Sequence, residues 1–73
     1  MNTEPKHIIE ADGYEYWLLN GLLHRTDGPA MIYPDGEQRW YLNGKRYYFS
    51  DWLAALDADE KTKTLLMLKW SSR

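Results

Sequence analysis

The tightest grouping of chemistry-bearing side chains in the chain is "HRTDG", residues 24–28. A histidine three positions from an aspartate could act as a general base with its orienting carboxylate, and the arginine between them could hold an anion. No serine or cysteine nucleophile lies beside the group. The expected arrangement is therefore structural: Asp27 accepts backbone N–H bonds within its own turn, and Arg25 lies over a neighbouring ring. His7 reads as a surface residue at the start of a strand. Asp57, Asp59 and Glu60 form an acidic cluster that lacks the glycine and the spaced oxygen ligands of a calcium loop, so helix capping is the expected role. Two histidines without cysteine do not make a usual zinc shell. The chain is expected to be no enzyme, with no catalytic residues, no metal and no cofactor.

A second group places Arg39, Lys45 and Arg46 beside Trp40, Tyr41, Tyr47 and Tyr48, a mixture that can stack and neutralise single-stranded nucleic acid. Glu37 adjoins it and the net charge is −2, so nucleic acid is not the expected partner. Nor is the chain acidic enough to imitate DNA. Neither half is a basic arm or an acidic tail.

The elements that must position these residues are written in turn signals. Displaced by 23 positions, "HIIEADGYEYWLLNGLLH" (7–24) aligns without gaps on "AMIYPDGEQRWYLNGKRY" (30–47). The identities are Ile9 with Ile32, Asp12 with Asp35, Gly13 with Gly36, Trp17 with Trp40, Leu19 with Leu42, Asn20 with Asn43 and Gly21 with Gly44. They fall on turn residues and on one face of a strand, which marks a structural unit used twice. Asp-Gly (Asp12 and Gly13, Asp35 and Gly36) and Asn-Gly (Asn20 and Gly21, Asn43 and Gly44) between alternating residues are hairpin signals. "RTDGP" (25–29), with Asp27 and Gly28, is a further turn. Strands are expected near 7–10, 14–19, 22–24, 30–33, 37–42 and 45–49. The repeats span 7–29 and 30–49, followed by a helical segment over 51–70. The predicted fold is α+β: one domain over residues 1–73, an antiparallel β-meander of two 23-residue repeats capped by one or two C-terminal α-helices.

Alternation puts Glu15, Trp17 and Leu19 on one face with Gln38, Trp40 and Leu42, the expected core face. The opposite face holds Tyr14, Tyr16 and Leu18 in the first unit and Glu37, Arg39 and Tyr41 in the second. After "YYF", Ser50 or Asp51 is the expected N-cap of a helix presenting Trp52, Leu53 and Leu56. "DADE" breaks or recaps it, and a second helix runs to about Trp70. Leu65 pairs with Leu68 and Leu66 with Trp70 at helical spacing, and Met67 widens the stripe. That is more apolar surface than so small a sheet needs.

"WYLNGK" (40–45) and "LHRTDGPA" (23–30) resemble the recurring unit of small, mostly uncharacterised phage and giant-virus proteins, which reads approximately W-Y-x-N-G-K-x-H-R-x-D-G-P-A. The resemblance covers residues 14–47. A more distant one is to MORN-type repeats, which share the period and the hairpin build; their Gly-x-Gly after the hairpin is missing here. The second unit ends in "KRYY" where the viral unit continues His-Arg-x-Asp-Gly-Pro, which implies that the array stops there and the helices cap it. The resemblance implies a phage-encoded accessory protein acting in an infected bacterium.

With 73 residues and no cysteine, the domain must rely on aromatic packing, for which it has four Trp and six Tyr, or on self-association. No run approaches the length of a membrane span and no signal peptide is evident, so a cytoplasmic, non-membrane protein is expected. Tyr14, Tyr16, Leu18, Arg39, Tyr41, Leu66, Met67 and Trp70 form the candidate protein-binding patch, with residue types that interfaces favour. The leading functional expectation is a protein-binding module that inhibits or redirects a host protein, such as a defence (restriction or CRISPR) or nucleic-acid enzyme, by steric occlusion. The alternative is a structural or assembly module acting as a homodimer or larger homo-oligomer.

Overall fold

The computed structural model describes residues 4–70. Six strands, β1 (Lys6–Ile9), β2 (Glu15–Leu19), β3 (Leu22–Leu23), β4 (Met31–Ile32), β5 (Gln38–Leu42) and β6 (Lys45–Tyr47), precede two helices, α1 (Phe49–Ala55) and α2 (Glu60–Trp70). All strand pairs are antiparallel, so the α+β meander read from the sequence is the fold.

The repeat is closest at its turns. Asn20 and Gly21 have φ of 54° and 80°, and Asn43 and Gly44 have 53° and 84°. Two successive residues at positive φ are the signature of a type I′ turn, whose twist matches the strands it joins. The same dipeptide therefore builds the same hairpin twice, between β2 and β3 and between β5 and β6.

The Asp-Gly turns at the opposite edge also match one another. Asp12 and Asp35 accept the N–H of Tyr14 (3.3 Å) and of Glu37 (2.9 Å). Gly13 and Gly36 follow them at φ of 99° and 91°. Each donates its N–H three residues back, Gly13 to the Glu10 carbonyl at 3.0 Å and Gly36 to the Tyr33 carbonyl at 2.9 Å. A Cβ on Gly36 would meet nothing within 4 Å, so it is the backbone angle and not space that calls for glycine there. Tyr33 belongs to this turn: β4 ends at Ile32, one residue before the strand end expected from the sequence.

The middle of the sheet departs from a simple meander. β3 pairs with the end of β2 and β4 with its beginning, while β4 also pairs with β5. Leu23 and Arg25 continue the ladder toward Tyr41 and Gly44, through Gly44 N–H to the Leu23 carbonyl (2.8 Å) and Arg25 N–H to the Tyr41 carbonyl (3.3 Å). β3 and β4 thus share one position between β2 and β5. The chain parts from β2 after His24 and rejoins it at Ala30, both bonded to Trp17 backbone groups. The detour between them is buried at Gly28, Pro29 and Ala30.

Residues directly opposite in an antiparallel ladder share a face. The helices cover the face of Trp40, whose core neighbours are Trp52, Leu56 and Leu66, with Leu42, Tyr47, Phe49, Leu53 and Trp70 packed around them. Trp52 has 0% of its surface exposed and Trp40 7%. The Trp40 ring meets Trp52 at 4.5 Å, Phe49 at 4.7 Å and Trp70 edge-on at 5.8 Å. Expected core residue Trp17 is on the same face but outside this cluster. Its ring is covered by His7, stacked at 4.2 Å, and by Arg25.

One helix expectation needs correction. α1 begins at Phe49 with Tyr48 as N-cap and no side-chain cap, so neither Ser50 nor Asp51 caps it, and β6 ends two residues earlier than expected. Trp52 N–H bonds the Tyr48 carbonyl (2.8 Å) and Phe49 packs on Trp40 and Trp52, which commits the turn to helix before serine is reached. Asp59 does recap the chain: its carboxylate accepts Thr62 N–H at 2.8 Å and its carbonyl accepts Lys63 N–H at 3.0 Å. No helix among the described residues is long and apolar enough to cross a membrane.

Candidate protein-binding face

Register assembles the second face of the sheet, which no helix covers. Ile8, Tyr16, Met31 and Arg39 form one row across β1, β2, β4 and β5. Lys6, Leu18 and Leu23 form the next, continued by the Tyr41–Arg46 pair. Beyond the first row Tyr14 meets Tyr33 at 5.3 Å, and the Arg39 guanidinium lies 4.9 Å over the Tyr33 ring and pairs with Glu37. The smallest extent of the molecule is 17 Å, which leaves room for the sheet and one helical layer about 10 Å from it. Among the described residues neither helix packs on the aromatic face, and its side chains are half-buried.

Tyr16 is tethered at the far end of its ring. Its hydroxyl donates to Glu10 at 2.6 Å. That bond, with burial and the nearby Glu10 and Asp12 charges, holds the phenol above its ordinary pKa.

Of the predicted patch, Tyr14, Tyr16, Leu18, Arg39 and Tyr41 belong to this face. Leu66 and Trp70 do not. Leu66 is 9% exposed in the core, and Trp70 packs on the Trp40 edge and donates its indole N–H to the Asp27 carbonyl at 3.1 Å. They hold α2 to the opposite side of the sheet, so the expectation that they join Tyr14 and Tyr16 in one patch is corrected. Met67 is 43% exposed on the helical layer, with Leu65 and Leu68 more so. Missed from the sequence were Ile8, Met31 and Tyr33. Ile8 and Met31 occupy equivalent repeat positions, which was the available signal.

No family model, characterised protein or solved structure matches this chain.

The "HRTDG" residues do not form a base and its orienter. His24 Nδ1 accepts Asn43 N–H at 2.9 Å, and Asp27 accepts Arg25 Nε–H at 2.7 Å rather than backbone N–H groups of its own turn. Arg25 lies over a ring as expected, 3.8 Å from the Trp17 centroid. It also donates to the Pro29 carbonyl at 3.0 Å and faces Trp70 at 5.6 Å. Trp52 Nε1–H bonds the Arg25 carbonyl at 3.0 Å. The detour thus presents carbonyls to the indoles of both helices, and its role is to join sheet and helices. The Arg39, Lys45 and Arg46 cluster is divided too: Lys45 lies 5.3 Å over Tyr47 on the helix face, while Arg39 and Arg46 are on the open one. Among the described residues no group of His, Cys, Asp or Glu is placed to hold a metal ion.

Proposed function

We propose that this chain is a non-enzymatic binding module whose open sheet face docks on another protein. The observation that carries the reading is the uncovered set Tyr14, Tyr16, Leu18, Met31, Tyr33, Arg39 and Tyr41, fixed by register and by ring contacts rather than by a core. Tyrosine, methionine and arginine are the types enriched where interfaces bury their centres, and rings held in place lose little entropy on binding. A rigid plate of this kind acts by occlusion, covering whatever surface of the partner it sits on. The likeness to phage repeat proteins supports a bacterial host protein as the partner, a defence enzyme or a nucleic-acid enzyme.

The test is expression in bacteria of the wild type and of a Tyr16→Thr/Tyr41→Thr variant, which keeps strand-forming residues at both positions. The variant should fold, shown by an unchanged near-ultraviolet tryptophan spectrum, and lose any growth or defence phenotype. An effect that persists when the protein is far scarcer than its target, or that vanishes with a His24→Ala variant whose tryptophan spectrum is unchanged, would favour catalysis instead.

A further inference from the structure

The open face carries its charges at opposite ends. β2 and β5 both start at an Asp-Gly turn and both finish at an Asn-Gly turn, so the two kinds of turn lie at opposite edges of the sheet. The Asp-Gly edge holds Glu10, Asp12, Asp35 and Glu37. The Asn-Gly edge of this face holds Lys6 at the start of β1, paired with Leu18, and Arg46 in β6, paired with Tyr41. Between them lies the apolar row Ile8, Tyr16 and Met31.

From this we infer that the open face packs on a second copy of the chain, sheet on sheet, about a two-fold axis that runs along the Ile8–Tyr16–Met31–Arg39 row. The inference rests on the same reading of the face as a contact surface and names an occupant for it. Rotation about that row lays β1 over β1 and β6 over β6 with strand directions reversed, within the aligned class of sheet packing. Lys6 then stands over the partner copy's acidic edge at Glu10, and Arg46 one strand spacing, about 4.8 Å, to the side of Glu37 on that edge. A two-fold makes each of these pairs twice. Rotation about the strand direction instead would set acid on acid. Arg39, lying on the axis, already has its charge met by Glu37 and the Tyr33 ring.

Five strand positions at about 4.8 Å spacing and some five residues along each give a footprint on the order of 400 Å² per copy. A standard interface takes about 800 Å² per partner, so the pairing falls in the small, weak class. A host protein with a better fit would displace the second copy from the same surface.

The experiment is sedimentation equilibrium of the full chain from low micromolar to several hundred micromolar, at low and high salt. The wild type should dimerise, more weakly at high salt. Lys6→Glu/Arg46→Glu and Glu10→Lys/Glu37→Lys should each weaken self-association on the order of tenfold or more, and an equimolar mixture of the two should recover a dimer. A monomeric wild type throughout, or a mixture no tighter than either variant alone, overturns the inference. Should a variant misfold, amide shifts of the wild type on dilution decide: changes along Ile8, Tyr16 and Met31 support it, and changes confined to Leu65 and Leu68 overturn it. A monomer that still captures a host protein through Tyr16 would sink the dimer and leave the proposed function standing.

Discussion

The Arg25 guanidinium sits 3.8 Å above the Trp17 ring, with its Nε donating to Asp27 at 2.7 Å and a terminal nitrogen donating to the Pro29 carbonyl at 3.0 Å. Only 15% of the side chain is exposed. Trp17 stands where Trp40 stands in the second repeat, and the arginine covers it in place of a helix. Arg25→Ala should cost about 2–3 kcal/mol, from the ring contact and the bonds to Asp27 and Pro29 together. Arg25→Lys should recover little, because a single ammonium cannot serve the ring, the carboxylate and the carbonyl at once. Urea unfolding of the three proteins checks this; a lysine variant as stable as wild type would contradict it.

Gly28 is required by space. A Cβ there would come within 2.7 Å of both Arg25 Cζ and Trp70 Cζ2. Gly28→Ala should destabilise by about 1–3 kcal/mol through overpacking and should loosen α2. Amide exchange along Thr64–Trp70, faster than in wild type, would report that loosening; unchanged exchange would place the joint elsewhere.

Asp59 caps α2, and its bonds from Thr62 hold its carboxyl below the usual aspartate range. A depressed folded-state pKa means the stabilisation is present above the unfolded value and lost as pH falls through the folded one. Asp59→Ala should therefore destabilise the fold at neutral pH. The gap from wild type should close in acid. Thermal melts at neutral and at acid pH measure it, and a gap independent of pH would contradict the cap.

Tyr16 should ionise above an ordinary tyrosine because its hydroxyl donates to Glu10. A folded-state pKa raised in this way stabilises the fold below the unfolded value, and that contribution is lost as pH rises through the folded one. Glu10→Gln removes the acceptor's charge and should bring the phenol back toward its usual value. Tyrosine absorbance or ring-proton shifts through alkaline pH would show it, and an unmoved titration would mean another group sets Tyr16.

Much of the fold was legible because it is local. Asn20-Gly21 and Asn43-Gly44 dictate their hairpins wherever they occur, and the 23-residue displacement exposes the common faces. Gly13 and Gly36 mark the other edge in the same way, through the left-handed backbone their turns require. The placement of α2 was not legible. Its apolar residues fall all round the helix, so spacing alone could not choose Leu66 and Trp70 over Leu65 and Leu68 as the buried pair. That choice is made by an indole bond to Asp27, 43 residues away. The same distance hid the role of "HRTDG": its carbonyls, rather than its side-chain acid and base, are what the helices use.

The most direct measurement is capture from bacterial lysate with the tagged wild type beside two folded variants, Tyr16→Thr/Tyr41→Thr on the open face and Leu65→Gln/Leu68→Gln on the helical layer. One protein retained near stoichiometry by the wild type and by the helix variant, and lost with the face variant, is the predicted result. Loss with the helix variant and retention with the face variant, or no stoichiometric protein at all, would contradict it.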